Sequence, residues 1–259
     1  MTKIISEFES FGESLADASG KIVLNYWRSD LEVIHKEDES PVTRADREVE
    51  AKIRELIEAR YPDHGIAGEE YGCVRMDAEY IWSLDPIDGT KAFISGSPLF
   101  GTLIALLRNG KPVLGIVDIP ATSERWVGGQ DLPAKLNGRP VVTRKGRLLS
   151  DATVGSTSPK MFVGMDAERV ERVHERVGLP IFGGDCYLYG MLTLGSIDLV
   201  IEAGMSDYDY LAPAAMVEAA GGIMTGWQGE TLGLGTTDRV VAAGDAKLHA
   251  EVISILNGD

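Results

Sequence analysis

The sequence has little cysteine and little histidine. Its only cysteines, Cys73 and Cys186, lie far apart and form no CxxC pair. This pattern favours a reduced, cytoplasmic protein, although it leaves open a single bridge between the two. The histidines show no metal-ligand pair and no Ser-His-Asp arrangement; they are His35, His64, His174 and His249.

Long apolar runs and basic clusters are also missing. No stretch approaches the roughly 18 apolar residues of a membrane span, and residues 1–11 lack the basic head and apolar block of a secretory signal. The formal net charge is -15, which argues against binding to nucleic acid or to an anionic membrane. With 259 residues and 44% hydrophobic content, the chain can bury a substantial core in one or two domains.

Hydrophobic periodicity predicts two N-terminal helices, at residues 4–27 and 43–59, followed by a largely antiparallel sheet. The strands expected in that sheet are 80–84, 99–107, 113–117 and 124–127. In the second half, strands and helices alternate in an α/β pattern. We therefore expect an N-terminal half, residues 1–140, and a C-terminal half, residues 141–259, in one compact catalytic unit.

The hexapeptide DPIDGT, residues 85–90, is the most informative segment. Asp85 and Asp88 suit a rigid turn that presents oxygen atoms to Mg²⁺, which prefers oxygen ligands at about 2.1 Å. Gly89 permits close approach of the backbone, and the N–H groups of Gly89 and Thr90 can bind a phosphate at a helix start. Alone, the hexapeptide is also compatible with an ordinary capped strand-to-helix junction.

Three further acids have both a functional and a structural interpretation. Glu69 is followed by Glu70, so the pair fits either a metal ligand or a solvated surface. Asp46 lies three residues after Thr43, which is a capping-box pattern. Asp209 precedes an apolar helix and can serve as its N-cap.

Together these motifs resemble the inositol monophosphatase family of metal-dependent, lithium-sensitive phosphatases. The resemblance is carried by Glu69, by residues 85–90 and by Asp209 with the later EAAGG sequence, and it extends from the region of Asp46 to about Gly222. It implies a layered α/β/α/β/α sandwich with mixed sheets, an active site between the two halves, and a homodimer.

The resemblance also implies the metal ligands. One Mg²⁺ is expected on Glu69, Asp85 and the carbonyl of Ile87, and a second on Asp85, Asp88 and Asp209. A third, weakly held Mg²⁺ is a further family feature. Physical chemistry supports the ions, because four carboxylates in one cleft repel each other and are costly to desolvate without a counter-charge.

By the same resemblance, Asp46 accepts a hydrogen bond from Thr90, and the two orient and deprotonate the attacking water, with Glu69 also in a catalytic role. Two ions close together can activate that water and stabilise the leaving alkoxide. The substrate is expected to contact Asp88, Gly89, Thr90 and Asp209.

The substrate is predicted to be histidinol phosphate. Residues 85–107, 122–126, 183–187 and 198–202 are similar to the histidinol-phosphate phosphatases of the family, which act in histidine biosynthesis. This substrate carries an ammonium group and an imidazole, and Asp185 and Glu202 are candidate partners for them. The structural alternatives are an N-cap for Asp185, on the helix that follows, and a solvated strand end for Glu202.

Other functions stay open. An inositol monophosphatase or a broad-specificity sugar phosphatase fits the same motifs. A nucleotide phosphatase fits less well, because no basic cluster suits a second phosphate. From another class, a metal-binding regulatory or scaffold protein without catalysis is compatible with the ligand set. In each enzymatic case the partner is a small phosphorylated metabolite.

Overall fold

A computed structural model describes residues 2–29, 33–35 and 41–258 of the chain. The α-helices in these residues are α1 (Thr2–Tyr26), α2 (Arg44–Arg60), α3 (Thr90–Ile94), α4 (Met165–His174), α5 (Tyr187–Thr193), α6 (Asp207–Ala219) and α7 (Ala246–Asn257). The first-half strands are β1 (Val33–His35), β2 (Pro41–Thr43), β3 (Gly65–Gly68), β4 (Gly72–Val74), β5 (Tyr80–Asp88), β6 (Gly101–Arg108), β7 (Lys111–Ile119), β8 (Glu124–Gly129), β9 (Leu132–Leu136) and β10 (Arg139–Pro140). The second-half strands are β11 (Thr153–Ser156), β12 (Leu179–Phe182), β13 (Leu199–Ala203), β14 (Ile223–Gly226) and β15 (Arg239–Ala243).

Two mixed sheets form the framework. The larger sheet has the order β10-β9-β8-β7-β6-β5-β3-β4 and is antiparallel except for the parallel pair β3 and β5. The smaller sheet has the order β12-β11-β13-β15-β14, in which β12, β11 and β13 are parallel. Strands β15 and β14 complete it in antiparallel pairing.

Helices cover both sheets, and three buried cores separate the layers. Apolar side chains of α1 and α2 pack on one face of the larger sheet, as Leu15 and Ile53 do. Residues of α5 and α6, such as Leu188 and Met216, fill the space between the sheets. The α4 and α7 helices cover the outer face of the smaller sheet. These layers confirm the predicted α/β/α/β/α sandwich.

The division into two halves stays a prediction. The strands of the larger sheet end at Pro140 and those of the smaller sheet begin at Thr153. However, α6 belongs to the second half and packs against β5, β6, β7 and β8 of the larger sheet. The two halves therefore share a core, and α6 carries side chains of the C-terminal half to the ends of first-half strands.

Two differences from the predicted elements affect the site. Strand β5 continues to Asp88, four residues beyond its expected end at Leu84, and so contains the acidic turn. Strand β3 was not predicted, because its sequence Gly-Ile-Ala-Gly lacks the alternating β-branched and aromatic residues that indicate a strand. Pairing with β5 on one side and β4 on the other stabilises it.

Both cysteines are unpaired, with Cys73 exposed and Cys186 buried, so the single bridge that the sequence left open is not formed. In the described part of the chain, no helix is both long and apolar enough to cross a membrane.

Candidate active site

The acidic turn stands at the end of β5, where the pairing with β6 is interrupted. The register shifts between Asp85 and Asp88, as it does at a β-bulge, and such irregularities redirect side chains. The N–H of Ile87 donates to Oδ1 of Asp85 at 3.0 Å, which fixes that carboxylate. Asp85 is 3% exposed. The turn thus holds its first acid rigidly in a buried position.

Glu69 follows the neighbouring strand at the same end, and its charge acts on Asp85, although its carboxylate is not one of the three that converge within 4.8 Å. Gly68 is paired with Leu84 across the parallel strands β3 and β5, so Glu69 and Asp85 follow at the same end. The N–H of Glu69 donates to the carbonyl of Leu84 at 3.2 Å. Ligand sites commonly lie at the carboxyl ends of parallel strands.

Asp209 comes from the first turn of α6. Ser206 is the N-cap of this helix, and its N–H donates to Oδ2 of Asp209 at 2.7 Å in a capping box. The N-cap interpretation of Asp209 is therefore wrong, since Asp209 is the third helical residue and supports the cap. The capping bond orients the carboxylate, and its second oxygen can face a ligand.

Asp85, Asp88 and Asp209 converge. Each offers one oxygen, and these atoms lie within 4.8 Å of one another. Burial, together with the charge of Glu69, raises the pKa of Asp85 well above its ordinary value. Burial and the charge of Asp185 raise the pKa of Asp88 in the same way. Burial raises the pKa of Asp209 to about 7, with Glu69 adding to the effect.

The donor set fits a hard divalent cation. Among the described residues, no lysine, arginine or histidine forms a salt bridge with Asp85, Asp88 or Asp209. The cluster therefore needs positive charge from elsewhere, and Mg²⁺ prefers such oxygen ligands. The carbonyl of Ile87 accepts from the Thr90 hydroxyl at 3.1 Å and keeps a second lone pair.

Asp46 is buried in the first turn of α2. Its Oδ2 accepts from the N–H of Thr43 at 2.8 Å and from the Thr43 hydroxyl at 2.6 Å, so the capping-box interpretation is confirmed. Burial raises the pKa of Asp46 to about 6, and the nearby charge of Glu69 adds to this. The expected hydrogen bond with Thr90 is not formed in this structure, where the Thr90 hydroxyl donates to the carbonyl of Ile87 at 3.1 Å.

Glu202 lies near the end of β13 and is 2% exposed. Its Oε1 accepts from the N–H and the hydroxyl of Thr157 at 3.1 and 2.5 Å, and its Oε2 accepts from the hydroxyl of Tyr189 at 2.7 Å. The interpretation of Glu202 as a solvated strand end is therefore wrong. Burial raises its pKa even though these hydrogen bonds oppose the shift.

Asp185 lies just before α5 with a left-handed backbone, at φ 46°. The N-cap of α5 is Cys186, so the N-cap interpretation of Asp185 is wrong. Burial raises the pKa of Asp185 to about 6, and the positive charge of Lys91 opposes this. An aspartate in this strained conformation, beside an acidic cluster, is typical of a functional position. Its carboxyl carbon would lie 3.1 Å from a Cβ at Gly89, which only glycine avoids.

A cavity of about 120 Å³ is lined by Asp88 and Asp209 of the cluster and by Asp185 and Glu202. Its lining consists of Asp88, Thr157, Met161, Asp185, Cys186, Tyr189, Glu202, Met205 and Asp209. A larger groove of about 680 Å³ lies between α1 and strands β7 to β9 and contains none of the predicted site residues. The small cavity is therefore the candidate substrate pocket.

Several pocket residues were missed by reasoning from the sequence. Thr157 and Tyr189 hold Glu202, and the N–H of Cys186 donates to Oδ2 of Asp88 at 2.6 Å. Thr157 had a usable signal, because it directly follows β11, a parallel neighbour of β13. Cys186 lies in the segment 183–187 that carries the family resemblance, but its bond to Asp88 is made by a backbone N–H, which side-chain identity does not reveal. Tyr189 had no usable signal.

Fold and site together define a layered α/β protein with a carboxylate cluster that could hold a hard cation, formed by side chains of β5 and α6. The model of the inositol monophosphatase family matches residues 5–258. The chain therefore belongs to the inositol monophosphatase family, whose members are phosphatases that act on phosphate monoesters and generally use Mg²⁺.

Individual relatives agree with this assignment. The chain is 43% identical over 261 residues to the chloroplastic bifunctional phosphatase IMPL2 of Arabidopsis thaliana, covering 97% of this chain and 75% of that protein. It is 34% identical to the histidinol-phosphatase of Chlorobaculum parvum over 95% of both chains. A solved inositol monophosphatase from Zymomonas mobilis superposes with a TM-score of 0.90 at 42% identity, covering 97% of this chain and 98% of that one.

Proposed function

We propose that this protein is a Mg²⁺-dependent phosphatase that hydrolyses histidinol phosphate to histidinol and phosphate, in histidine biosynthesis. One observation carries the substrate assignment: the cavity that contains Asp88 and Asp209 also contains two carboxylates, Asp185 and Glu202, that the metal site does not require. The phosphate would lie near Asp88 and Asp209, beside the proposed ions. A cationic group would lie against Asp185 and Glu202. The relative named histidinol-phosphatase supports the same substrate.

The two extra acids have capacity for a ligand. A carboxylate has about four lone-pair positions, and Glu202 uses three of them on Thr157 and Tyr189. Within the described chain, no hydrogen bond reaches the carboxylate of Asp185. An ammonium group beside Asp185 would stabilise its ionised form against the burial that raises its pKa.

The chain's own groups supply the ligands proposed for Mg²⁺. Glu69, Asp85 and the Ile87 carbonyl would hold one ion, and Asp85, Asp88 and Asp209 a second; two or three ions per active site are part of the proposal. When bound, such ions lower the pKa of a coordinated water and neutralise charge on the leaving oxygen. The strand ends and the α6 capping box hold these carboxylates in place beforehand.

Asp46 and Thr90 are proposed to orient the attacking water. Both capping bonds of Asp46 end on Oδ2, which leaves Oδ1 as the oxygen that can accept from Thr90 or from a water. The role requires the Thr90 hydroxyl to rotate from the Ile87 carbonyl toward that acceptor. The water's proton would then pass through the Thr90 hydroxyl to a carboxylate whose pKa of about 6 suits a base near neutral pH.

An inositol monophosphatase or a broad-specificity sugar phosphatase is the second candidate. The Zymomonas mobilis protein of nearly equal identity is named an inositol monophosphatase, which favours it. The remaining acceptor position of Glu202 suits a sugar hydroxyl as well as a cation. The Asp185 carboxylate, which accepts no hydrogen bond within the described chain, favours the cationic substrate.

A phosphate-release panel tests the proposal. Chelator-treated protein, with and without added Mg²⁺, is given histidinol phosphate, inositol phosphate, fructose bisphosphate and phosphoadenosine phosphate. We expect Mg²⁺-dependent release, with the highest kcat/KM for histidinol phosphate. A higher kcat/KM for inositol phosphate would establish the second candidate instead, and no release from any ester would favour a non-catalytic metal-binding protein. We further propose that the protein is cytoplasmic and forms a homodimer. Light scattering, which measures molar mass in solution, tests the homodimer.

A further inference from the structure

Glu50 is a fully buried carboxylate on α2 that faces the loop after Glu69. Its Oε2 accepts from the N–H of Glu70 at 2.6 Å, and its Oε1 accepts from the N–H of Tyr71 at 3.1 Å. These are the two residues that directly follow Glu69. One side chain therefore ties the backbone of this loop to the helix.

Two neighbours fix the position of Glu50. The Nε of Arg54 donates to its Oε1 at 2.8 Å, and the Arg54 guanidinium also donates to the carbonyl of Gly72, at the far end of the loop. At the near end, a Cβ on Gly68 would overlap the Glu50 carboxylate, so only glycine permits this approach. The segment of residues 68–72, here named the Glu69 loop, is thus held at both ends.

We propose that Glu50, oriented by Arg54, is a positioning residue that holds Glu69 beside Asp85 for metal binding. The inference rests on the proposed metal-dependent function. Asp46, Glu50 and Arg54 recur every four residues, so they lie along one face of α2. The same helix therefore positions both Asp46, the acid proposed to orient the water, and the loop that carries Glu69, a proposed metal ligand.

Stability alone is a weak reason for this arrangement. A buried ion pair is often no more stabilising than apolar residues of the same volume, because both charges must leave water. Glu50 instead provides what an apolar side chain cannot, namely acceptors for two consecutive backbone N–H groups. Groups that orient a metal ligand in this way commonly change metal affinity by about 10-fold to 100-fold when they are replaced.

The test compares Glu50→Gln with Glu55→Gln. The control lies on the same helix and removes the exposed ion pair between Lys52 and Glu55, whose side chains are 3.0 Å apart. We measure Mg²⁺ binding to chelator-treated protein by calorimetry, and amide hydrogen exchange of the Glu69 loop without metal. Glu50→Gln should speed exchange at Glu70 and Tyr71 and raise the Mg²⁺ dissociation constant about 10-fold to 100-fold. Glu55→Gln should match wild type in both.

Saturating Mg²⁺ should restore most of the kcat of Glu50→Gln, because the defect is in ligand placement. Faster loop exchange with an unchanged Mg²⁺ dissociation constant would overturn the proposal. If Glu50→Gln does not fold, Glu50→Asp replaces it, because the shorter side chain keeps the charge beside Arg54 but withdraws its oxygens from the N–H groups of Glu70 and Tyr71; a folded Glu50→Asp protein with wild-type Mg²⁺ affinity would overturn the proposal equally. A wild-type protein that binds no Mg²⁺ would instead refute the proposed metal-dependent function.

Discussion

Glu69 and Asp85 leave two parallel, hydrogen-bonded strands at the same end, with Gly68 and Leu84 paired just before them. This pairing brings together acids that are sixteen positions apart in sequence. Asp88 follows on the same strand, and Asp209 is added by α6 from the other half of the chain. The acidic cluster therefore depends on strand pairing and on helix packing as much as on the DPIDGT motif.

Replacing Asp209 by Asn should abolish most turnover while the fold is kept. The amide oxygen of Asn can still accept the capping bond from the N–H of Ser206, but the charge toward the ions is lost. We expect kcat/KM to fall by about 1000-fold or more, since metal stabilisation of the transition state is worth several kcal/mol and each 1.4 kcal/mol is tenfold. Phosphate release at low and high Mg²⁺ measures this. Turnover like that of wild type under limiting Mg²⁺ would remove Asp209 from the metal site.

The metal-free protein should lose stability as the pH rises from about 4 to about 7. The pKa of Asp209 is about 7 and that of Asp46 about 6 in the folded state, both above the ordinary value of 3.8. Raised pKa values mean that the folded state binds these protons more tightly than the unfolded chain, so each proton lost on the way to neutral pH costs stability. We expect the Tm to fall by roughly 10 °C over this range.

Added Mg²⁺ should reverse that loss, and its stabilising effect should grow with pH, because the ligands must be ionised to bind it. Thermal unfolding with chelator and with Mg²⁺, at several pH values, measures both effects. The Asp209→Asn variant should show a flatter dependence on pH. A metal-free Tm that rises between pH 5 and pH 7 would contradict the proposed burial of unpaired acids.

Gly89→Ala and Gly110→Ala form a matched pair. Both glycines have φ 77°, but a Cβ at Gly89 would lie 3.1 Å from the Asp185 carboxyl carbon, whereas Gly110 has nothing within 4 Å. Backbone strain should cost each variant about 1–2 kcal/mol of unfolding free energy. Only Gly89→Ala should also lose turnover, because it displaces Asp185 and the turn. Equal turnover in the two variants would mean that the space at Gly89 has no role in the reaction.

Asp185→Asn should raise the KM for histidinol phosphate far more than the KM for inositol phosphate. A hydrogen bond to a charged group contributes about 1.5–3 kcal/mol, which corresponds to an increase of about 10-fold to 100-fold. The two substrates compared in one variant supply the control, because a general defect would affect both. Equal increases would remove Asp185 from substrate selection.

The sequence predicted those parts of the site that are formed by residues close together in the chain. The DPIDGT turn is contiguous, so its two acids and its glycine were recognisable without a fold. The capping pattern of Thr43 and Asp46 is local as well, and the structure confirms it. Periodicity predicted helices and strands in an α/β pattern, and the layered architecture was implied by the family resemblance.

Other features depend on contacts between distant segments. Thr157 and Glu202 are 45 residues apart, and the link from Cys186 to Asp88 spans 98 residues. Glu202 was open to interpretation as a solvated strand end, because nothing in its neighbourhood indicates that Tyr189 and Thr157 bury it. The sequence also could not show that Asp46 and Thr90 form no hydrogen bond with each other. In the folded chain Asp46 accepts from Thr43, and Thr90 donates to Ile87.

The most direct test is a crystal structure of the protein grown with Mn²⁺ in place of Mg²⁺, with anomalous density to locate the ions. We predict ions bound by Asp85, Asp88 and Asp209, with Glu69 as a further ligand. Ions found only elsewhere on the surface, or Asp85 and Asp209 with no ion between them at saturating Mn²⁺, would contradict the account.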